Sequence, residues 1–166
     1  PGVERLVPRA AGKAHPNSLS ATHGNGVFPF HSDGAHWQIP PRWLVLWCEE
    51  SSDDRPTLLL PWRLLTRHLK PDPTAVFLVK NGRRSFFVEV RDVARLDAGC
   101  MIPQNGAARR LLLAASGTKA SRAALHVDWK PGLVLVVDNH AVLHGRGCAR
   151  STGSGTGRVL WRALLN

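Results

Sequence analysis

His31 and Asp33 stand two residues apart at the end of the aromatic run Phe28-Pro29-Phe30. In an extended strand, residues i and i+2 project to the same side, so an imidazole nitrogen and a carboxylate oxygen can converge on one point. This is a pair of metal ligands in need of a third. Two histidines and one carboxylate on one face of an ion, with the opposite positions open, form the donor set of non-haem Fe(II) centres. His140 and His144 are both candidates for the second histidine. They are four residues apart and face the same side of an unbroken strand, so parity does not choose between them. His36 lies close to the first pair, where a site-facing role and a plain packing role are equally open.

Strands must position such ligands, and the sequence supplies many short ones. A loop-rich entry over residues 1–24 holds a short strand near Arg5-Leu6-Val7, with His15 and His23 as exposed loop histidines. Val27 to Asp33 reads as a strand entering the core. Trp43 to Cys48 reads as a buried strand, Glu49 to Arg55 as a polar loop, and Thr57 to Leu60 as the next strand. Leu64, Leu65, His68 and Leu69 fit a short helix that Lys70-Pro71-Asp72-Pro73 stops. Asn81-Gly82 between Val76–Val79 and Ser85–Val90 is the dipeptide of a tight hairpin. An extended piece spans Arg95 to Ile102, and Asn105 caps a helix running to Gly117, after which the chain returns to strands. These are Leu125 to Trp129, a doubly buried Leu133 to Val137, the segment His140 to Arg146, and finally Arg158 to Leu164. Many short strands with one or two helices suggest a small barrel or two-sheet sandwich.

Composition sets the outer bounds. A chain of 166 residues with 43% hydrophobic content fits one domain, residues 1–166, and twelve Pro with fifteen Gly agree with many turns. The net charge of +10 suits anionic ligands. The arginines are spread along the chain without a basic tail or an aromatic-interleaved stripe, which argues against nucleic acid. Cys48, Cys100 and Cys148 form no C-x-x-C pair and read as reduced thiols, Cys148 as a small core residue, in a cytoplasmic protein. The apolar runs are far shorter than a membrane span. Ser151 to Gly157 is Gly-rich but lacks the lysine and following helix of a phosphate-binding loop, and reads as a flexible connection.

Taken in order, Phe30-His31-Ser32-Asp33-Gly34-Ala35, then Asp138-Asn139 with Leu143-His144-Gly145-Arg146, and the closing Arg158-x-x-x-Arg162 resemble the Fe(II)/2-oxoglutarate-dependent dioxygenases of the taurine dioxygenase and clavaminate synthase-like group. Trp129-x-Pro131-Gly132 resembles that group's lead-in to the distal histidine. The resemblance implies a double-stranded β-helix, a cupin-like jelly-roll barrel, with His31, Asp33 and His144 as the iron ligands. It implies 2-oxoglutarate and O2 as co-substrates, with Arg158 and Thr57 holding the distal carboxylate, as the two parallel donors of a guanidinium can. Arg162 is then a second co-substrate or substrate contact, or else a surface strand arginine, and Arg146 is equally open to a site or a surface role. Because related halogenases lack the carboxylate, Asp33 points to hydroxylation of a small, amino-acid-like molecule with release of succinate and CO2, desaturation and cyclisation staying open.

Members of that group usually carry more chain ahead of the first histidine. The short N-terminal part is consistent with a fragment, a minimal member, or a chain that completes itself as a homo-oligomer. Two other classes stay open on the residues alone. One is a zinc hydrolase using His31, Asp33, His36 and His144, which would have no use for the terminal arginine pair. The other is a non-catalytic basic binding module.

Overall fold

A computed structural model describes residues 2–13, 19–51, 55–67, 69, 74–149 and 157–166. His15, His68, the stop at residues 70–73 and residues 151–156 of the Gly-rich loop lie outside the described residues. The described residues are mostly β with four helices. In order, the elements are β1 (Val3–Leu6), α1 (Leu19–His23), β2 (Phe28–His31), β3 (Trp43–Ser51), β4 (Thr57–Pro61), α2 (Trp62–Thr66), β5 (Ala75–Asn81) and β6 (Arg84–Val90). They continue with β7 (Met101–Pro103), α3 (Gly106–Ser116), α4 (Thr118–Ala123), β8 (Leu125–Val127), β9 (Val134–Asp138), β10 (Val142–Arg146) and β11 (Arg158–Leu165).

Among the described residues the strands form three antiparallel sheets, ordered β1-β11-β3-β9, β2-β10-β4-β8 and β6-β5-β7. From β2 to β4, and again from β8 to β11, each successive strand crosses to the opposite four-stranded sheet. Strand alternation then decides what lies between those sheets. Leu44, Leu46 and Cys48 of β3, Val137 of β9 and Leu160 of β11 form a core with Trp129, and Leu59, Val127 and Val142 of the second sheet pack against it. The intervening residues Leu58, Leu60, Leu143 and Phe30 turn the other way. They pack with Phe77 and Val79 of β5 and with Ala108, Leu111 and Ala115 of α3. His31, Thr57 and His144 therefore share the inner side with Leu59 and Val142, and Arg158 and Arg162 share it with Leu160.

Several local expectations hold. Gly82 takes φ +59° in the β5–β6 turn. The Asn105 side chain accepts from the Ala108 N–H at 2.9 Å and starts α3. Other expectations are corrected. The polar stretch after Cys48 does not leave the sheet at once. β3 continues to Ser51 because β11 supplies ladder partners and because Arg5 and Trp161 hold the Glu49 carboxylate.

β9 is buried on one side only, with Val134 and Val136 about 60% exposed, since the outer side of its sheet has no packed layer among the described residues. The stretch from Arg95 to Cys100 turns instead of extending. Arg95 donates to the carbonyls of Ala35 and Trp37, and Met101 N–H donates back to Asp97. In α2 the inward residues are Trp62 and Leu65, while Leu64 is exposed. Two short helices, α1 and α4, are additional to those expected. Cys148 is exposed rather than in the core, and all three thiols are free.

Candidate active site

β2 and β10 lie side by side with His31 directly opposite His144. Their rings are 4.3 Å apart between centroids and both are buried. The Nδ1–H of His31 donates to the Pro29 carbonyl at 2.9 Å, because a carbonyl only accepts, and in the neutral ring this tautomer leaves Nε2 as the lone-pair nitrogen facing the cavity. The Nε2 atoms of His31 and His144 lie 3.9 and 3.8 Å from the same atom, Asp33 Oδ1. One donor atom from each residue falls within 4.8 Å of the other two.

Asp33 lies just past the end of β2, so the sheet ladder does not hold it. Asn139 does: its Oδ1 accepts from the Asp33 N–H, and its Nδ2 donates to the Asp33 carbonyl, each at 2.9 Å. The same amide donates to the Pro41 carbonyl at 2.8 Å, and the residue is fully buried. One side Ser32 exchanges hydrogen bonds with Leu96. On the other, Gly34 has φ +69°, and a Cβ there would sit 2.5 Å from Pro41 Cδ.

The charge states suit a divalent ion. Burial, then the neighbouring His31, pushes the His144 imidazole down to about 3 against the pull of Asp33, so it is neutral. Its Nδ1 is buried with no hydrogen-bond partner among the described residues. For Asp33, burial pushes the carboxyl up, but the positive charge facing it, the Arg162 guanidinium included, outweighs burial and leaves the group below the usual carboxylate range. A neutral imidazole at His144 and an ionised carboxylate at Asp33 are the protonation states a metal requires of such ligands.

The first sheet contributes the cations. Arg158 Nη2 donates to Thr57 Oγ1 at 3.2 Å, with a further bond to the Arg55 carbonyl. Thr57 is buried and also accepts from Trp129 Nε1 at 2.9 Å. Arg162 Nη1 lies 3.1 Å from both oxygens of Asp33. A cavity of about 830 Å³ is lined by His31, Asp33, His144, Thr57, Arg158 and Arg162 together.

His36 borders the same cavity, edge-on to Trp37. Its pKa is lowered by burial, against the pull of Asp97 and Asp33. His140 sits in the turn before β10 with its Nε2 on the Pro40 carbonyl at 3.1 Å, which removes it from the ligand set. Arg146 ties β10 to the loop between α1 and β2 through the Gly26 and Gly24 carbonyls and lies 3.8 Å over the Phe28 ring. In the sequence Asn139 and Trp129 are legible only as members of the motif, and Glu4, which pairs with Arg162, carries no signal of its own.

Residues 62–164 match the family described as taurine catabolism dioxygenase TauD, TfdA family. The chain belongs to this family. The matched span holds His144, Arg158 and Arg162, while His31, Asp33 and Thr57 precede it. No curated protein matches the chain.

Among solved structures, the fold is shared with an asparagine oxygenase in complex with Fe(II), 2S,3S-3-hydroxyasparagine and succinate. The TM-score is 0.69 at 18% identity, over 98% of this chain and 56% of that one. A non-haem iron oxygenase, OrfP, in complex with Fe and alpha-ketoglutaric acid gives 0.61 at 19%, over 99% and 56%. PvcB, an Fe, alpha-ketoglutarate dependent oxygenase from an isonitrile synthetic pathway, gives 0.56 at 17%, over 99% and 63%. The chain thus spans a little over half the length of these proteins.

Proposed function

We propose that this chain is the core of a non-haem Fe(II)- and 2-oxoglutarate-dependent dioxygenase that hydroxylates a C–H bond of a small, amino-acid-like molecule and releases succinate and CO2. The observation that carries the reading is the convergence of His31 Nε2 and His144 Nε2 on Asp33 Oδ1, in one cavity with the Thr57–Arg158 pair. The strand crossing between two facing four-stranded sheets supports a single double-stranded β-helix domain. Family membership and the iron- and oxoglutarate-bound relatives support the cofactors. The hydroxyasparagine in one relative supports the substrate class. Three free thiols suit a reducing, cytoplasmic setting, and no helix among the described residues is long and apolar enough to cross a membrane.

His31, Asp33 and His144 would hold the iron, which supplies the redox chemistry that couples O2 and 2-oxoglutarate to substrate oxidation. His31 presents Nε2 because Pro29 holds its proton on the other nitrogen. Asn139 fixes the Asp33 backbone, so the carboxylate meets the imidazoles without a search. Arg158 and Thr57 receive the distal carboxylate of 2-oxoglutarate, the guanidinium as charge partner and the hydroxyl as donor. Trp129 is a further donor to Thr57 and orients that hydroxyl towards the cavity. Arg162, on the same side of β11, serves the anionic groups nearest the metal. His31, Asp33, Thr57 and His144 are buried, which strengthens the charged contacts they make.

The test is succinate formation from 2-oxoglutarate by the Fe(II)-loaded protein against a panel of amino acids. Substrate-stimulated succinate release that disappears in His31→Ala supports the reading. Turnover that is indifferent to 2-oxoglutarate and survives His31→Ala overturns it.

A further inference from the structure

Arg162 is held from two sides. One nitrogen, Nη1, lies 3.1 Å from both oxygens of Asp33, and the other, Nη2, is paired with the Glu4 carboxylate. Glu4 reaches it because β1 is laid on β11 with Glu4 directly opposite Arg162. The three side chains grade from 61% exposed at Glu4 through 26% at Arg162 to 11% at Asp33, so the chain of charges runs from the surface inward. Its inner end is the oxygen that both imidazoles approach, Asp33 Oδ1.

We infer that Glu4 is a positioning residue for the metal centre: it anchors Arg162 and offsets its charge, and so sets how much of the Asp33 carboxylate is available to a metal. The inference rests on the metal reading above. A guanidinium and a divalent ion compete for the same carboxylate, since both draw on its lone pairs and its charge. With Glu4 in place, one arm of Arg162 is engaged elsewhere and its charge is partly neutralised, which weakens its hold on Asp33. Without that carboxylate, the whole guanidinium charge bears on Asp33, and an entering metal must displace a stronger pair. Glu4 borders the cavity, and its side chain is tied to the site through Arg162. β1 thereby takes a part in the site although it contributes no ligand.

The experiment is titration of the apoprotein with Co(II) at low ionic strength, read by absorption of the bound ion without any turnover. Glu4→Gln keeps the size and removes the charge, and is expected to weaken Co(II) binding by about tenfold, the lower end of what outer-shell partners contribute. Glu4→Asp keeps the charge and is expected to recover most of the affinity. In an Arg162→Gln background, Glu4→Gln is expected to change nothing further. Equal Co(II) affinity in wild type and Glu4→Gln overturns the assignment, as does a full effect of Glu4→Gln in the Arg162→Gln background. No Co(II) binding by the wild type, or binding that survives His31→Ala and His144→Ala, removes the metal reading itself.

Discussion

His31 and His144 are cross-strand partners on β2 and β10, and both present Nε2 to one oxygen of Asp33. Antiparallel pairing places directly opposed side chains closer together than any other relation between two strands of a sheet. Two ligands therefore come from neighbouring strands and need no loop to bring them together. The close approach is helped by Gly145, next to His144, where a Cβ would sit 2.9 Å from the Phe28 carbonyl. The third ligand, Asp33, comes from beyond the strand end and depends on separate supports.

Removal of either histidine should act on metal and leave the fold standing. His144→Ala takes away a neutral buried imidazole whose Nδ1 has no hydrogen bond among the described residues, so little polar bonding is lost with it. Fe(II) or Co(II) affinity is expected to fall at least about 100-fold, with a circular dichroism spectrum like that of wild type. Unchanged affinity in both His31→Ala and His144→Ala would show that the metal binds elsewhere.

Arg158→Ala is expected to separate co-substrate from metal. It removes the guanidinium beside Thr57, and charge-assisted hydrogen bonds contribute about 1.5–3 kcal/mol each, so 2-oxoglutarate should bind roughly 10- to 100-fold more weakly. Metal affinity in the absence of 2-oxoglutarate should stay within about twofold of wild type. Isothermal titration with each ligand in turn measures both, and equal losses would make Arg158 a structural residue.

Asn139 should matter more for stability than its place in a turn suggests. It satisfies the Asp33 N–H, the Asp33 carbonyl and the Pro41 carbonyl, all without access to water. Asn139→Ala leaves those groups unpaired at about 1–3 kcal/mol each, so a loss of about 3 kcal/mol or more in urea unfolding is expected. Metal affinity should fall with it, because the Asp33 backbone loses its anchor.

The parts of the site legible in the sequence are those that strand parity governs. Arg158 and Arg162 stand an even number apart on β11 and face one cavity, whereas Asp33 reaches that cavity from beyond the end of β2, where Asn139 rather than strand parity places it. The Asn81-Gly82 hairpin and the Asn105 cap were legible for the same local reason, since each is decided within a few residues. Asn139 clamps a residue 106 positions away, and Glu4 meets Arg162 only through the register of the first strand on the last. No local pattern carries such pairings. Val134 and Val136 misled in the opposite direction, because an apolar run reads alike whether one side or both are covered.

The three thiols should differ in reactivity. Burial, then Asp97, pushes the Cys100 thiol up to about 12, and burial also raises Cys48. Only the thiolate attacks a disulfide reagent, and at pH 8 a thiol with a pKa near 12 is ionised to about one part in ten thousand. Cys148 is exposed. One thiol is expected to react rapidly with an aromatic disulfide in the native protein and three after denaturation, and Cys148→Ser should abolish the fast phase.

Gly34→Ala should damage both the fold and the metal site. Its φ of +69° lies in the left-handed region, which costs an L-residue about 1–2 kcal/mol. The added methyl would meet Pro41 Cδ at 2.5 Å and Trp37 Cδ2 at 3.3 Å. Pro41 is buried, and Asn139 holds its carbonyl, so it has little room to withdraw. The neighbouring backbone must move instead, and the residue that precedes Gly34 is Asp33. A loss of about 2–4 kcal/mol in unfolding free energy is expected, together with weaker Co(II) binding at temperatures where the variant is still folded. Gly82→Ala has a similar positive φ but no atom within 4 Å of the new methyl, and should bear the conformational cost alone without any change in metal affinity. Equal effects of the two substitutions on metal binding would show that the contact with Pro41 does not position Asp33.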